Sequence, residues 1–322
     1  MSTESLPSIA FIGECMVELR SDVKANICQS FAGDSLNTAV YLARLLPLNQ
    51  HQIHFVTALG IDNFSNAMIA YFQSEGIRCD KIRRLSRRQP GLYYIDVDSS
   101  GERSFQYWRD QSAARYLFSG HEYNDELHSL VSMDYLYCSG ISLAILSDPD
   151  RQKLIDLLAG AKTQGTKICF DSNYRPVLWE NVDQAHHWYQ QILAITDIAF
   201  LTYDDECELW GDNSPEHVFS RCKVFDIPEI VLKRGAQPCL IKTATTTYTV
   251  DAITIPSDQI VDTTAAGDSF NAGYLASRMQ GEKCSKTCAA MGHQLACIVV
   301  QHQGAIVSRN IVSQNTGAPV KS

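Results

Sequence analysis

The sequence predicts an α/β protein of the doubly wound kind: a mostly parallel sheet with helices on both faces and a small β-strand lid. Three observations predict it. Short apolar runs alternate with segments of helical periodicity along most of the chain, the order that a parallel sheet with crossover helices requires. The runs themselves are apolar nearly throughout, which suits strands buried on both faces. One segment breaks the rhythm: Tyr93, Ile95 and Val97 alternate with other residues, Asp98 to Gly101 supplies a turn, and Phe105, Tyr107 and Arg109 alternate again. That is a β-hairpin by pattern, and a hairpin does not belong in the middle of a parallel sheet.

Along the chain, residues 9–12 read as a first buried strand, and residues 14–31 offer further lid strands. Leu36, Val40, Ala43 and Leu46 repeat at helical spacing behind Asp34, a suitable N-cap, until Pro47 ends the run. Residues 53–59 read as a strand and 63–75 as a helix stopped by Gly76. After the hairpin, residues 167–170, 198–201 and 230–232 read as strands with helical stretches between them. The polar tail after Gly304 is expected to fray. With no internal repeat, low-complexity tract or linker, residues 1–322 read as one domain, its lid contributed by about 14–31 and 90–110.

Bulk properties narrow the function classes. Hydrophobic residues make up 45% of the 322 and charged residues 20%, an ordinary globular mix. The net charge of −9 argues against a nucleic-acid partner but not against a locally positive phosphate site. Eleven cysteines without a C-x-x-C pattern read as reduced, mostly buried thiols rather than a zinc site. The start MSTESLPSIAFIGE has no export signal, and no stretch is long enough to span a membrane, so the expected compartment is the cytoplasm.

The informative stretch is 262–273, D-T-T-A-A-G-D-S-F-N-A-G. Small residues lead directly into a helical pattern. The first N–H groups of a helix lack internal partners and carry the positive end of its dipole. Ala265, Ala266 and Gly267 lack bulk, so an anion can lie against those groups. Asp268 stands in the same turn. An anion hole beside a carboxylate is what phosphoryl transfer to an alcohol needs, the carboxylate taking the hydroxyl proton. Spacing alone leaves a second reading open, in which Asp268 merely complements the helix dipole. No two glycines stand two apart and no G-x-x-x-x-G-K-[ST] occurs, so neither a dinucleotide fingerprint nor a P-loop competes.

This stretch resembles the C-terminal signature of the ribokinase-like sugar kinases, the phosphofructokinase-B family, whose pattern is D-T-x-G-A-G-D; Ala265 stands where the usual glycine does. Residues 32–39, A-G-D-S-L-N-T-A, resemble the family's G-G-x-x-x-N-x-A, and residues 59–62, L-G-I-D, its L-G-x-D. The resemblance covers most of the chain in the right order. It implies the ribokinase-like fold, ATP and Mg2+, Asp268 as general base, and Ala265, Ala266 and Gly267 as anion hole. It leaves open activation by a monovalent cation, and the family's habit of pairing lids makes a dimer the first expectation.

Three further stretches resemble the branch of that family acting on 2-dehydro-3-deoxygluconate: 13–19 (G-E-C-M-V-E-L), 107–113 (Y-W-R-D-Q-S-A) and 171–179 (D-S-N-Y-R-P-V-L-W). The implied reaction is phosphorylation of that sugar acid at its 6-hydroxyl. Arg109 on the hairpin and Arg175 after a strand are suited to a carboxylate, which arginine holds by two parallel hydrogen bonds. By the same resemblance Gly33, Asp34, Asn37, Tyr93 and Tyr107 meet the sugar, while Asn173, Arg175, Lys233, Gly235, Ala265 and Gly267 meet ATP. Glu206 falls at the glutamate of the family's N-x-x-E, which organises magnesium through water; Tyr203 replaces the asparagine, and Asp204 or Asp205 could share the role. Two alternatives remain: a kinase of the same fold for a neutral sugar such as fructose or ribose, and a non-catalytic sugar sensor.

Overall fold

Ile9 and Phe11 bury into one hydrophobic cluster, Ala10 and Ile12 into another. Side chains alternate across a strand, so this strand is covered on both faces. The computed structural model describes residues 6–21, 26–47, 49–97, 103–120 and 127–317. Its strands, in chain order, are β1 (Ser8–Ile12), β2 (Met16–Ser21), β3 (Ile27–Ala32), β4 (Gln52–Leu59), β5 (Ile82–Arg84), β6 (Gly91–Val97), β7 (Arg103–Trp108), β8 (Tyr135–Ser139), β9 (Lys167–Asp171), β10 (Ile198–Thr202), β11 (Glu229–Arg234), β12 (Gln237–Thr243) and β13 (Thr247–Val250).

Nine of them form one sheet in the order β13-β12-β11-β10-β9-β8-β1-β4-β5. From β11 to β5 every pairing is parallel; β12 and β13 add an antiparallel edge. Strand order reverses beside β1, which lies between β4 and β8, so the chain winds outward in both directions and leaves a crevice at the C-terminal strand ends. Helices Asp34–Leu45, Ala266–Met279 and Ser285–Val300 bury their apolar sides in the cluster on one face; Asp148–Thr163 and Val182–Leu193 do so on the other.

The hairpin lies outside this sheet. β6 and β7 pair antiparallel and join β2 and β3 in a separate four-stranded sheet, order β3-β2-β6-β7. Its turn at 98–101 lies outside the described residues.

Two expectations need correction, and one element was not foreseen. Asp34 is not the N-cap: Gly33 holds that place and Asp34 is the first helical residue, its carboxylate accepting the Ser35 N–H at 2.7 Å. Only glycine fits at 33, because a Cβ there would come within 2.2 Å of the Glu14 carbonyl oxygen. The tail does not fray after Gly304. It forms the helix Arg309–Thr316, with Val307 and Val312 buried and the Val307 carbonyl accepting from Arg44 Nη1 at 2.6 Å; two apolar anchors outweigh its polar composition. The antiparallel edge β12–β13 was not expected: Pro238 stands at the start of β12, whose apolar run is only Cys239–Ile241, and threonines alternate through β13.

Candidate active site

The C-terminal ends of β9, β10 and β11, the small sheet and the N-terminus of the helix Ala266–Met279 enclose a cleft of about 500 Å³. Four aspartates line it: Asp34, Asp171, Asp205 and Asp268. Cations Lys233, Arg234 and Arg175 face them. Met16, Tyr93, Phe105 and Tyr107 of the small sheet close one side; Phe270, His293, Cys239 and Ala296 make a more apolar wall.

The helix Ala266–Met279 starts at the small residues, but not with the expected set of free N–H groups. Ala265 caps it in the left-handed region at φ 60°, a conformation that costs a non-glycine residue roughly 1–2 kcal/mol. Asp262 pins the loop, accepting the N–H groups of Thr264 at 2.9 Å and Gly304 at 3.0 Å. The Ala266 N–H is taken by the Thr263 carbonyl at 3.2 Å, which removes it from the expected anion hole. Among the described residues the Gly267 and Asp268 N–H groups have no acceptor and stand at the positive end of the helix.

Asp268 and Asp34 are held by amides from distant parts of the chain. Asn37 Nδ2 donates to Asp268 Oδ2 at 2.8 Å, and Asn173 Nδ2 donates to Asp34 Oδ2 at 2.8 Å. Asn173 sits at φ 30°, on the left-handed side that asparagine tolerates. Burial among protein groups, reinforced by the Asp34 carboxylate and then Asp171, pushes the Asp268 carboxyl up to about 7; the Asn37 hydrogen bond and the Lys233 charge oppose the rise. A carboxylate poised near neutrality is matched to accepting a proton from an alcohol.

Gly33, Asp34, Asn37, Tyr93, Tyr107, Asn173, Arg175, Lys233, Gly235, Ala265, Ala266, Gly267 and Asp268 all line this cleft. Two expected residues do not. Arg109 lines a neighbouring cavity of about 680 Å³, which shares only Tyr107 with the cleft and contains none of the four aspartates. Its guanidinium is paired with Glu14, both side chains being buried. Glu206 also turns away: its buried carboxylate pairs with Arg221 behind the helix Tyr203–Trp210, and burial pushes it up to about 7 despite that partner. Tyr203 is absent from the lining, while Asp205 faces the cleft, accepts the Tyr174 N–H at 3.1 Å and lies 3.5 Å from Arg175. Burial raises Asp205 to about 6, opposed first by Arg175. No group of three or more metal-ligating side chains occurs among the described residues. For Mg2+ the donor set still fits, since that ion is usually bound through one or two carboxylates plus phosphate oxygens and water.

Sequence reasoning assigned no part to Asp171, Asn271, Glu14 or Glu18. A signal existed for the first, a lone charge closing an apolar strand, and for the second, an amide inside an apolar helix. Glu18 accepts the Tyr93 hydroxyl and Ser30 Oγ beneath the small sheet, a pairing legible only in three dimensions.

A family description, pfkB family carbohydrate kinase, matches residues 6–311. The chain belongs to that family. Across nearly the whole kinase, the 2-dehydro-3-deoxygluconokinase of Escherichia coli (strain K12) is 46% identical over 302 residues, 94% of this chain and 97% of that protein. The 2-dehydro-3-deoxygluconokinase of Dickeya dadantii (strain 3937) is 45% identical over 301 residues, 93% and 96% of the two chains. A solved fructokinase with bound ATP from Xylella fastidiosa superposes with a TM-score of 0.79 at 21% identity, covering 96% of this chain and 98% of that one; that likeness speaks for the ribokinase-like fold. No helix among the described residues is long and apolar enough to cross a membrane.

Proposed function

We propose that this kinase transfers the γ-phosphoryl group of ATP to the 6-hydroxyl of 2-dehydro-3-deoxy-D-gluconate, with Asp268 as general base. The observation that carries the substrate is the near-full-length identity to relatives of that name; the chemistry is supported by a carboxylate raised to about 7 beside unpartnered helix N–H groups.

A sugar hydroxyl is a weak nucleophile while it keeps its proton. Asp268 Oδ2 is engaged by Asn37, so Oδ1 is left to take that proton as the oxygen–phosphorus bond forms. Asn37 fixes the carboxylate's rotation, and Asp34, held by Asn173, faces the sugar hydroxyls from the same helix. The Gly267 and Asp268 N–H groups meet the charge on the moving phosphoryl without reorganising. Lys233 and Gly235 flank the polyphosphate, and Tyr93 and Tyr107 cover the sugar. When bound, Mg2+ would neutralise polyphosphate charge; Asp205, which lines the cleft, would hold it in preference to Glu206, which pairs with Arg221.

Arg175 is the cation open to the sugar acid's carboxylate, its side chain 49% exposed and only loosely paired to Asp205. Arg109 reads that carboxylate only by exchanging Glu14 for it. This supports a second reading, a neutral sugar as substrate. A panel measuring ADP release with the sugar acid, fructose and ribose at matched concentration separates the two: turnover confined to the sugar acid is expected, and equal or better turnover of a neutral sugar would overturn the assignment.

A further inference from the structure

Asp171 closes β9 beneath the cleft, 2% exposed. Its Oδ1 accepts from Lys233 Nζ at 2.9 Å, and its Oδ2 accepts from Asn271 Nδ2 at 3.0 Å and from the Tyr137 hydroxyl at 3.3 Å. Asn271 and Tyr137 are fully buried, and Asn271 Nδ2 also donates to the Tyr137 hydroxyl at 3.0 Å. The carboxylate is therefore gripped from behind by two core side chains and from the front by one lysine.

A buried ion pair is a poor way to stabilise a fold, because desolvation offsets most of its attraction. The position of the ammonium supplies a different reason for it. A Cβ on Gly267 would come within 3.3 Å of Lys233 Nζ, so the ammonium lies against the first turn of the helix Ala266–Met279. The unpartnered Gly267 and Asp268 N–H groups and the positive helix end are at the same spot. Two positive ends directed at one small volume repel each other unless an anion is to be placed between them. Asp171 is the group that keeps the lysine there in the meantime.

We infer that Asp171 is a positioning residue: it holds the Lys233 ammonium against the helix terminus so that lysine and backbone together grip the terminal phosphoryl of the nucleotide. This rests on the kinase reading proposed above. It predicts discrimination between nucleotides, since only a triphosphate reaches the grip.

The test is calorimetric binding of Mg-ADP and of Mg-bound adenylyl imidodiphosphate to the full chain. In Asp171→Asn the triphosphate analogue is expected to weaken by about 10- to 100-fold, the worth of one charge-assisted contact, and ADP by less than about threefold. Lys233→Met is expected to behave alike, and the double variant to be no worse than either single, because one residue acts through the other. kcat should fall with the triphosphate affinity while KM for the sugar acid stays near the parent's. Equal weakening of both nucleotides, or multiplying losses in the double variant, would overturn the inference. Should Asp171→Asn not fold, Tyr137→Phe loosens the same carboxylate without stranding a charge, and an unchanged analogue-to-ADP ratio there overturns the inference equally. A parent protein that binds neither nucleotide would instead overturn the kinase reading, before any variant is made.

Discussion

Replacing Asp268 by Asn is expected to stabilise the protein and silence it together. The fold holds the Asp268 proton more tightly than the unfolded chain does: about 7 against an ordinary aspartate value of 3.8. Between those values the folded chain binds more protons than the unfolded chain, so this residue's contribution makes stability fall as pH rises through that window, with the full cost present above about 7. At 1.36 kcal/mol per pH unit, the gap of about 3.2 gives a ceiling of roughly 4 kcal/mol. The side chain is partly exposed to the open cleft, where water screens its charge, so about 1–2 kcal/mol is the expected size. Asparagine keeps the size and can still accept the Asn37 hydrogen bond, yet never ionises. Urea unfolding of parent and variant without ligands should therefore agree within about 0.5 kcal/mol near pH 3.5, below the unfolded value of 3.8, and diverge to about 1–2 kcal/mol in the variant's favour near pH 8. Titrating groups that do not interact with Asp268 cancel in the difference. At pH 8 kcat should be lower by about 10²- to 10⁴-fold, the usual worth of a positioned base. A stability difference that ignores pH, or a variant weaker than the parent at pH 8, would refute the electrostatic account. Near-normal turnover would refute Asp268 as the base.

The same carboxylate should set an acid limb in the pH profile of kcat/KM, with activity rising through about pH 7; Asp34→Asn removes the largest charge that raises it, so the midpoint should move to lower pH even as the rate falls, and a limb that stays in place would assign it elsewhere. Ala265→Gly should relieve the left-handed conformation and raise stability by about 0.5–1 kcal/mol in urea titrations with kcat within about twofold; a loss of stability would mean the alanine methyl packs usefully. Arg109→Leu leaves Glu14 buried without its partner and should cost about 3–5 kcal/mol, while Arg109→Leu with Glu14→Gln should recover most of that. If Arg109 also reads the substrate carboxylate, KM for the sugar acid stays high in both; recovery of KM in the double variant would leave it as a purely structural residue.

The parallel core was legible because its strands are buried on both faces, and near-continuous apolar runs such as those around Phe11 and Phe170 suit that environment above any other. The off-sheet hairpin was legible for the opposite reason, its period of two standing out against the βα rhythm. What escaped depended on partners far away in the chain. Nothing near Arg109 in sequence shows that Glu14, 95 positions earlier, already holds its guanidinium. Glu206 was misplaced because a helix's first turn offers three consecutive carboxylates, Asp204, Asp205 and Glu206, and only the packing of Arg221 from the following helix decides which of them turns inward. The tail was misread because Val307 and Val312 are too sparse to make a pattern, though each is buried once folded.

Three cations in and beside the cleft share one further property, whereas Arg234, which also lines it, donates to the Gln237 amide oxygen. Lys233 rests on Asp171, Arg175 near Asp205, and Arg109 on Glu14. Each of these positive groups that could grip a phosphate or a carboxylate already has a carboxylate of its own, so ligand binding exchanges partners instead of supplying a first one. Exchange costs less desolvation than burying a bare charge pair, and it weakens the net attraction for any anion that offers charge without shape. A cleft with unpaired cations at the same positions would bind inorganic phosphate and citrate indiscriminately, and would hold its own anionic products too tightly to turn over. On the proposed reading, the three pairings temper how strongly the site holds anions, while the helix terminus and the raised carboxylate of Asp268 would set what it does with them.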